Sequence, residues 1–228
     1  MNTAARVVVL AACAAAFCPV ASAFDPSQLA LMPLPQQALG PDAAALSLVG
    51  DSGVDSNADA ARNAGGGITA ADLSRYGRIT GYTLDYDHPP ASALHSANAL
   101  LEVQTIAEMY RGDQAASTGL AFWRGVTAAE AANKRSGLSV VLVAFKAHVG
   151  DGSFAFELTY TLPGQARLYI GDVVFRIGDL LGAVFVTTTG DKGLRARTAG
   201  LADALAARIR LVVAGKIHGP PLALPGKA

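Results

Sequence analysis

Apolar and polar positions alternate most clearly in the second half of the chain, and this alternation predicts β-strands. In residues 153–162 an apolar side chain occupies every second position and Ser, Glu or Thr lies between most of them, as expected for a strand buried on one face. Residues 82–86 alternate in the same way, with Tyr82 and Tyr86 on one face. The run LSVVLVAFKAHV at 138–149 is apolar on both faces and predicts a strand that is partly covered on both sides.

Two Asp/Gly pairs predict where these strands turn. Gly178-Asp179 separates the apolar runs 173–177 and 180–186, and Asp151-Gly152 separates 138–149 from 153–162. Such pairs are typical of β-hairpins because glycine tolerates the positive φ angles of tight turns. The tripeptide Ile-Gly-Asp occurs twice, at 170–172 and at 177–179. If one strand contained both copies, Asp172 and Asp179 would point to its opposite faces. A joint catalytic role for the two aspartates is therefore disfavoured.

Helical spacing predicts three helices. Residues 91–111 form an amphipathic pattern of about 18 residues, with a stripe at Leu100, Val103, Ile106, Ala107 and Tyr110. Residues 114–133 predict a shorter helix anchored by Phe122 and Trp123. Residues 191–215 predict a C-terminal amphipathic helix, with Asp191 as its N-cap and Gly215 as its stop.

These elements together predict the α+β class, with an antiparallel β-meander sheet of about five strands covered by two or three helices, including the C-terminal amphipathic helix. A single domain would span 72–215 and a loose tail 216–228. Residues 24–71 are rich in Pro, Ala and Gly and predict a flexible lead segment. The apolar stretch LALMPLP at 29–35 leaves open whether this lead segment docks on the domain.

The N-terminus predicts export. Arg6 precedes an apolar run from Val7 to Ala16, and Ala21-Ser22-Ala23 follows. This is the pattern of a secretory signal peptide spanning 1–23 and cleaved after Ala23, which leaves a mature chain with no transmembrane segment in a periplasmic or secreted location. An uncleaved signal anchor is the alternative.

Composition narrows the chemistry of the mature chain. Both cysteines, Cys13 and Cys18, lie in the signal peptide, so no disulfide or thiolate site is expected. The whole chain has 18 basic and 18 acidic side chains. Removal of the signal peptide, which contains Arg6, leaves 17 basic and 18 acidic side chains. A nearly neutral chain gives no electrostatic reason to expect a nucleic-acid partner, and no motif indicates a cofactor.

One cluster suggests a metal-assisted enzyme or hydrolase. Asp85, Asp87, His88 and His95 lie close together in the sequence, and carboxylates with imidazoles can bind a divalent ion. Their spacing matches no established metal motif. An ordinary turn between elements, with capping by Asp87, explains the same residues.

Two shorter motifs are weaker. GDSG at 50–53 resembles the segment around a serine-protease nucleophile, but all four histidines follow Ser52, against the order in that fold. Asp55, Asn57 and Asp59 occupy the first, third and fifth positions of a calcium loop. That loop also requires a glycine at its sixth position and a carboxylate at its twelfth, where this chain has Ala60 and Gly66.

The absence of a coherent catalytic set favours a non-enzymatic exported domain that binds an envelope protein or a small apolar ligand. A structural component of an envelope assembly is the other non-enzymatic alternative. Aromatic residues dominate binding hot spots, so the candidate binding residues are Tyr82, Tyr86, Phe122, Trp123 and Tyr169.

The layout over 74–213 resembles that of PsbP-like exported α/β sandwich domains. The similarity lies in GRITGYTLDY at 77–86, VVLVAFKA at 140–147, VVFRIGDLLGAVFV at 173–186 and the terminal helix. The resemblance implies an extrinsic, non-catalytic part of a larger assembly, or a ligand-binding protein. It supplies no functional residues.

Overall fold

A computed structural model describes residues 25–50, 52–132, 139–161 and 167–224. The predicted signal peptide and its cleavage site after Ala23 lie outside these residues. The strands are β1 Ser47–Leu48, β2 Gly53–Asp55, β3 Arg78–Asp87, β4 Leu100–Tyr110, β5 Ser139–Ala144, β6 Gly152–Thr161, β7 Arg167–Ile177 and β8 Leu180–Thr188. The α-helices are α1 Asn57–Ala64, α2 Ala70–Arg75, α3 Asp113–Ala132 and α4 Leu194–Val213.

All eight strands described belong to one antiparallel sheet, in the order β1, β3, β4, β8, β7, β6, β5. The short strand β2 pairs with β3 on the same side as β1. The α+β class and the antiparallel sheet are therefore confirmed, whereas the expectation of about five strands is wrong. The additional strands are β1 and β2 in the lead segment, and β4 where a helix was expected.

The predicted helix at 91–111 is wrong because β4 occupies its apolar part. Leu100–Tyr110 lies between β3 and β8, and both of its faces are covered. The period-two pattern of a strand is then obscured, and apolar residues on the two faces mimic a helical stripe. Val103, Thr105 and Ile106 are β-branched, which favours a strand at this position.

The Gly178-Asp179 hairpin is confirmed. Ile177 pairs with Leu180, and Gly178 has φ 57°, a conformation that glycine adopts without strain. Asp151-Gly152 does not form the predicted tight hairpin, since β5 ends at Ala144 and an irregular connection precedes β6. The buried side chain of Val149 packs into the main core within that connection.

The two long helices lie on opposite faces of the sheet. The helix α4 packs on β7 and β8 through a core that includes Leu205 and Ile209. Its N-cap is Gly193, which has no side chain to cap the helix, so the predicted cap at Asp191 is not formed by its side chain. The helix α3 agrees with the prediction for 114–133. Residues 216–224 form no helix or strand.

The lead segment packs on the domain. Its prolines begin short 3-10 turns, and its apolar residues Leu29, Met32 and Leu34 are buried in the same core as α4. The Leu34 backbone N–H donates to Thr105 Oγ1 at 3.1 Å. Arg208 Nε on α4 donates to the Leu31 carbonyl at 2.7 Å. The lead segment therefore covers the part of the sheet that α4 leaves open, and it is not the flexible linker that its composition predicted.

Replacing Leu34 by alanine tests this docking. Leu34 is 2% exposed, and we expect Leu34→Ala to lower the free energy of unfolding by about 2–5 kcal/mol, the usual cost of removing a buried leucine side chain. Urea denaturation measures the change. Leu211→Ala, at an exposed position on α4, is the matched control and should change stability by less than about 1 kcal/mol. Equal effects of the two substitutions would contradict the packing of the lead segment.

Candidate ligand-binding site

A cavity of about 240 Å³ lies on the face of the sheet opposite α4. We call it the inner cavity. The strands β3, β4, β7 and β8 form its floor, and α1 and α3 form its roof. Its apolar wall is formed mainly by Ile106, Trp123, Val126, Val174, Ala183 and Phe185. Its polar residues include Asp55, Thr83, Gln104, Glu108 and Thr127.

The short strand β2 and the start of α1 place Asp55 at this cavity. Asp55 pairs with Gly81 of β3, and α1 begins two residues later. Ser56 and Asp59 form a reciprocal capping box at the start of α1, which fixes the direction in which the chain leaves β2. This stretch resembles part of a calcium loop, but Asp59 caps α1 and Asp55 forms an ion pair with Arg78.

Arg78 lies at the centre of a buried ion cluster. Its side chain is 0% exposed. Its Nη2 donates to Asp55 Oδ2 at 2.5 Å and its Nε to Glu108 Oε1 at 2.7 Å. Its Nη1 donates to Asn57 Oδ1 at 2.8 Å. One cation thus connects β3 to β2, β4 and α1.

The second oxygen of Glu108 is also occupied. Glu108 Oε2 accepts from the Tyr110 hydroxyl at 2.9 Å and from Trp123 Nε1 at 3.1 Å. Burial raises the pKa of Tyr110 far above its usual range, so the phenol stays protonated and donates. Both oxygens of the Glu108 carboxylate therefore have donors within the protein.

Only one of the two carboxylate oxygens of Asp55 accepts a hydrogen bond from a described residue. Its Oδ2 accepts from Arg78, but its buried Oδ1 has no hydrogen-bond partner among the described residues. Burial raises the pKa of Asp55 to about 6, against the lowering effect of Arg78 and with a further contribution from Glu108. Two carboxylates, those of Asp55 and Glu108, thus line the inner cavity, and both are paired with the buried Arg78 guanidinium.

Two glycines make room for the cluster. A Cβ atom at Gly81 would lie 2.6 Å from Arg78 Nη2, and a Cβ at Gly119 would lie 2.4 Å from the Tyr110 ring. Both distances are shorter than side-chain atoms tolerate. Gly81 therefore lets the guanidinium lie against β3, and Gly119 lets α3 pack closely over Tyr110.

A second, wider depression adjoins the inner cavity, and we call it the outer groove. The two share Asn63, Ala64 and Val126 among their lining residues. The outer groove has a volume of about 880 Å³ and also includes Arg62, Ile68, Phe122, Val140 and Tyr160. The end of α1 therefore separates an inner compartment from an outer one.

The five predicted aromatic residues are divided between the two faces of the sheet. Trp123 lines the inner cavity and Phe122 the outer groove. Tyr82, Tyr86 and Tyr169 pack in or against the core beneath α4 and the lead segment. The structure therefore does not bring all five together into one surface.

The four residues of the predicted metal site are not grouped. Asp85 is buried and lies beside Gln104, whose Nε2 is 3.5 Å from Asp85 Oδ2. Asp87 accepts from the backbone N–H of His88, and both His88 and His95 are exposed. Within the described ranges, no three His, Cys, Asp or Glu side chains are placed to hold a metal ion.

Sequence reasoning missed Asp55, Arg78 and Glu108 as a set. The calcium-loop reading selected Asp55 for a different chemistry. In the expected helix, Glu108 lay on the polar side. In a strand, Glu102, Gln104 and Glu108 fall on the same face, because they are separated by even numbers of residues. That alternation was the available signal for a polar face on β4.

Comparisons with known proteins identify no family. No protein-family model matches the chain, and no curated protein matches it. Among solved structures, the extracellular domain of PknH from Mycobacterium tuberculosis aligns with a TM-score of 0.45 and 8% sequence identity, over 77% of this chain and 98% of that chain. Similarity at this level says nothing about ligand or partner. The resemblance to PsbP-like domains stays a prediction.

The helices were also compared with the length and apolarity of a membrane span. Across the described parts of the chain, no helix has both properties to the extent that crossing a bilayer requires.

Replacing Arg78 should cost far more than replacing an exposed arginine. Arg78→Met leaves two buried carboxylates without their cation, and we expect the free energy of unfolding to fall by about 3–5 kcal/mol. Arg75→Met is the matched control, since the Arg75 side chain is 72% exposed and its ion pair should contribute less than about 1 kcal/mol. Urea denaturation of both variants measures the difference. Similar small losses in both would show that the cluster does not hold the sheet and α1 together.

The raised pKa of Asp55 predicts a pH dependence of stability. The carboxyl ionises near 3.8 when unfolded and at about 6 when folded, so the folded protein binds more protons between these values. The stabilisation associated with the protonated form is complete below pH 4 and is lost as pH rises through about 6.

We therefore expect the stability difference between the wild type and Asp55→Asn to shrink by up to about 3 kcal/mol from pH 4 to pH 7. Urea denaturation of both proteins across this range measures it, and the contributions of carboxylates that do not face Asp55 cancel in the difference. The groups facing Asp55 are Arg78, Glu108 and Asp59. Parallel pH profiles would contradict the assignment.

Proposed function

We propose that this protein is an exported, non-enzymatic binding protein that holds a small apolar molecule in the inner cavity. The observation that carries the proposal is a cavity with a largely apolar wall and a few polar residues in its lining, the usual composition of a ligand site. The sequence of residues 1–23 supports export. Binding of an envelope partner protein stays a prediction from the sequence.

The volume of the inner cavity limits the size of the ligand. A cavity of about 150 Å³ is known to hold benzene, and sites for drug-sized molecules begin at about 300 Å³. A volume of about 240 Å³ therefore suits a molecule that is larger than one aromatic ring and smaller than a typical organic cofactor. The outer groove offers space for a substituent that extends past the end of α1.

The hydrolase alternative has less support. It required Asp85, Asp87, His88 and His95 to converge in a concave pocket, and they do not form such a group among the described residues. Gln104 links Asp85 to the cavity wall, whereas His88 and His95 are exposed. Among the described residues that line the inner cavity there is no histidine that could act as a general base.

The single tryptophan of the chain provides a direct binding assay. Trp123 lines the inner cavity, so its indole N–H gives one isolated cross-peak in a ¹⁵N-correlated NMR spectrum. We expect n-propylbenzene, titrated into the protein purified from an exported fraction, to shift this cross-peak in a saturable way. An N-terminus at Phe24 in the same material would report cleavage after Ala23.

A cavity-filling substitution supplies the matched comparison. Ala183→Leu on β8 adds three carbon atoms to the cavity wall and should weaken binding of n-propylbenzene at least about tenfold, the effect of losing roughly 1.4 kcal/mol. Ala196→Leu makes the same change at an exposed position on α4 and should leave binding unchanged. Saturable shifts that persist in Ala183→Leu would place the ligand elsewhere, and no saturation in the wild type would refute the proposal.

A further inference from the structure

Asp55 lines the inner cavity and carries a buried acceptor that the described residues leave unused. The Asp55 side chain is 10% exposed, and its Oδ1 accepts no hydrogen bond from any described residue. Buried carboxylate oxygens normally have donors, and an acceptor without one is destabilising. A donor group on a ligand in the cavity would satisfy this oxygen.

The hydrogen bonds of the neighbouring donors go to other acceptors. Arg78 directs Nε, Nη1 and Nη2 to Glu108, Asn57 and Asp55 Oδ2 respectively. Trp123 Nε1 is already within reach of Glu108 Oε2 and the Tyr110 hydroxyl. None of the described hydrogen bonds of the cluster therefore reaches Asp55 Oδ1.

The charge of the cluster favours a cation over a neutral donor. Two carboxylates, Asp55 and Glu108, face one guanidinium, which leaves one negative charge when both are ionised. The acidic character continues along the same face of the sheet, where Gln104 contacts Asp85 and Glu102 accepts from Thr187. In a site of low dielectric, a positive group is attracted more strongly than it would be in water.

We infer that the inner cavity recognises an organic cation, a molecule whose protonated amine or amidine donates to Asp55 while its apolar body lies against Ile106, Val174 and Phe185. The inference rests on the proposed function and names the class of its ligand. A bare metal ion suits the site less well, because no three metal-ligating side chains converge among the described residues. The apolar wall requires a ligand with a hydrocarbon part.

Proton linkage supports the same ligand class. The pKa of Asp55 is about 6, raised by burial, with Arg78, Glu108 and Asp59 as the charged groups that face it. A bound cation would lower that pKa. Binding near pH 6 should therefore release protons, whereas binding of a neutral molecule should release none.

Three probes that share one apolar body separate charge from shape. We would titrate 3-phenylpropylamine, 3-phenylpropan-1-ol and 3-phenylpropanoate into the wild type, following the Trp123 indole N–H. The ammonium should bind about tenfold more tightly than the alcohol, as expected for a hydrogen bond strengthened by charge, and the carboxylate should bind most weakly. Calorimetry near pH 6 in buffers of different ionisation enthalpy should show proton release for the ammonium alone.

The outcomes separate this inference from the proposed function. Equal affinities for amine and alcohol, or a preference for the carboxylate, would overturn the cation inference while leaving the apolar binding site intact. Failure of all three probes and of n-propylbenzene to move the Trp123 signal would refute both.

Asp55→Asn assigns the effect to one carboxyl group. The variant should lose the preference for amine over alcohol, so that the two probes bind with similar affinity. Asp203→Asn, an exposed carboxyl group on α4, is the matched control and should keep the wild-type ranking. A preference for the amine that survives Asp55→Asn would overturn the inference. If that variant does not fold, the ranking of probes and the proton release of the wild type still decide the question.

Discussion

The hydrogen bonds and ion pairs of the buried Arg78 guanidinium are the interactions on which the face of the sheet that carries the inner cavity depends. This guanidinium is the only group that contacts Asp55 on β2, Glu108 on β4 and Asn57 at the first turn of α1 among the hydrogen bonds described. The strand β2 is three residues long and could contribute little by its own backbone pairing. A buried charge requires its partners to remain in place, so Arg78 fixes the position of α1 over the sheet.

The two faces of the sheet are closed by different means. Beneath α4 and the lead segment, long aliphatic and aromatic side chains such as Leu34, Phe175 and Ile209 fill a continuous core. On the other face, α1 contributes small residues, Ala60 and Ala61, to its cluster. Small side chains cannot fill the space between a helix and a sheet, and the inner cavity remains where α1 and α3 meet over β4 and β8.

The hydrogen bonds of the same cluster are shared unequally between its two carboxylates. Glu108 is fully provided with donors by Arg78, Tyr110 and Trp123, whereas Asp55 shares only one of its oxygens. The carboxyl group that is least well satisfied is therefore also at the cavity wall.

Local sequence patterns determined the Gly178-Asp179 hairpin, α3 and α4, because each rests on contacts between neighbours along the chain. They also indicated an antiparallel sheet, although the pairing of β4 with β8 joins segments that lie far apart in the sequence. The pattern failed at β4, where burial on both faces removed the alternation that identifies a strand. It also failed in the lead segment, where Pro and Gly favour a linker and only the space beside α4 makes docking favourable.

Candidate residues followed the same division. Trp123 and Phe122 were predicted as binding residues because aromatic residues dominate binding hot spots, and the structure places both of them at cavity walls. Asp55, Arg78 and Glu108 are separated by 23 and 30 residues, and no local spacing relates them. Only the pairing of β2, β3 and β4 brings them together, since hydrogen-bonded strands place distant residues at adjacent positions. The sequence by itself thus determined which segments fold into strands and helices over most of the domain, and the tertiary structure decided where charge is buried and where a cavity remains.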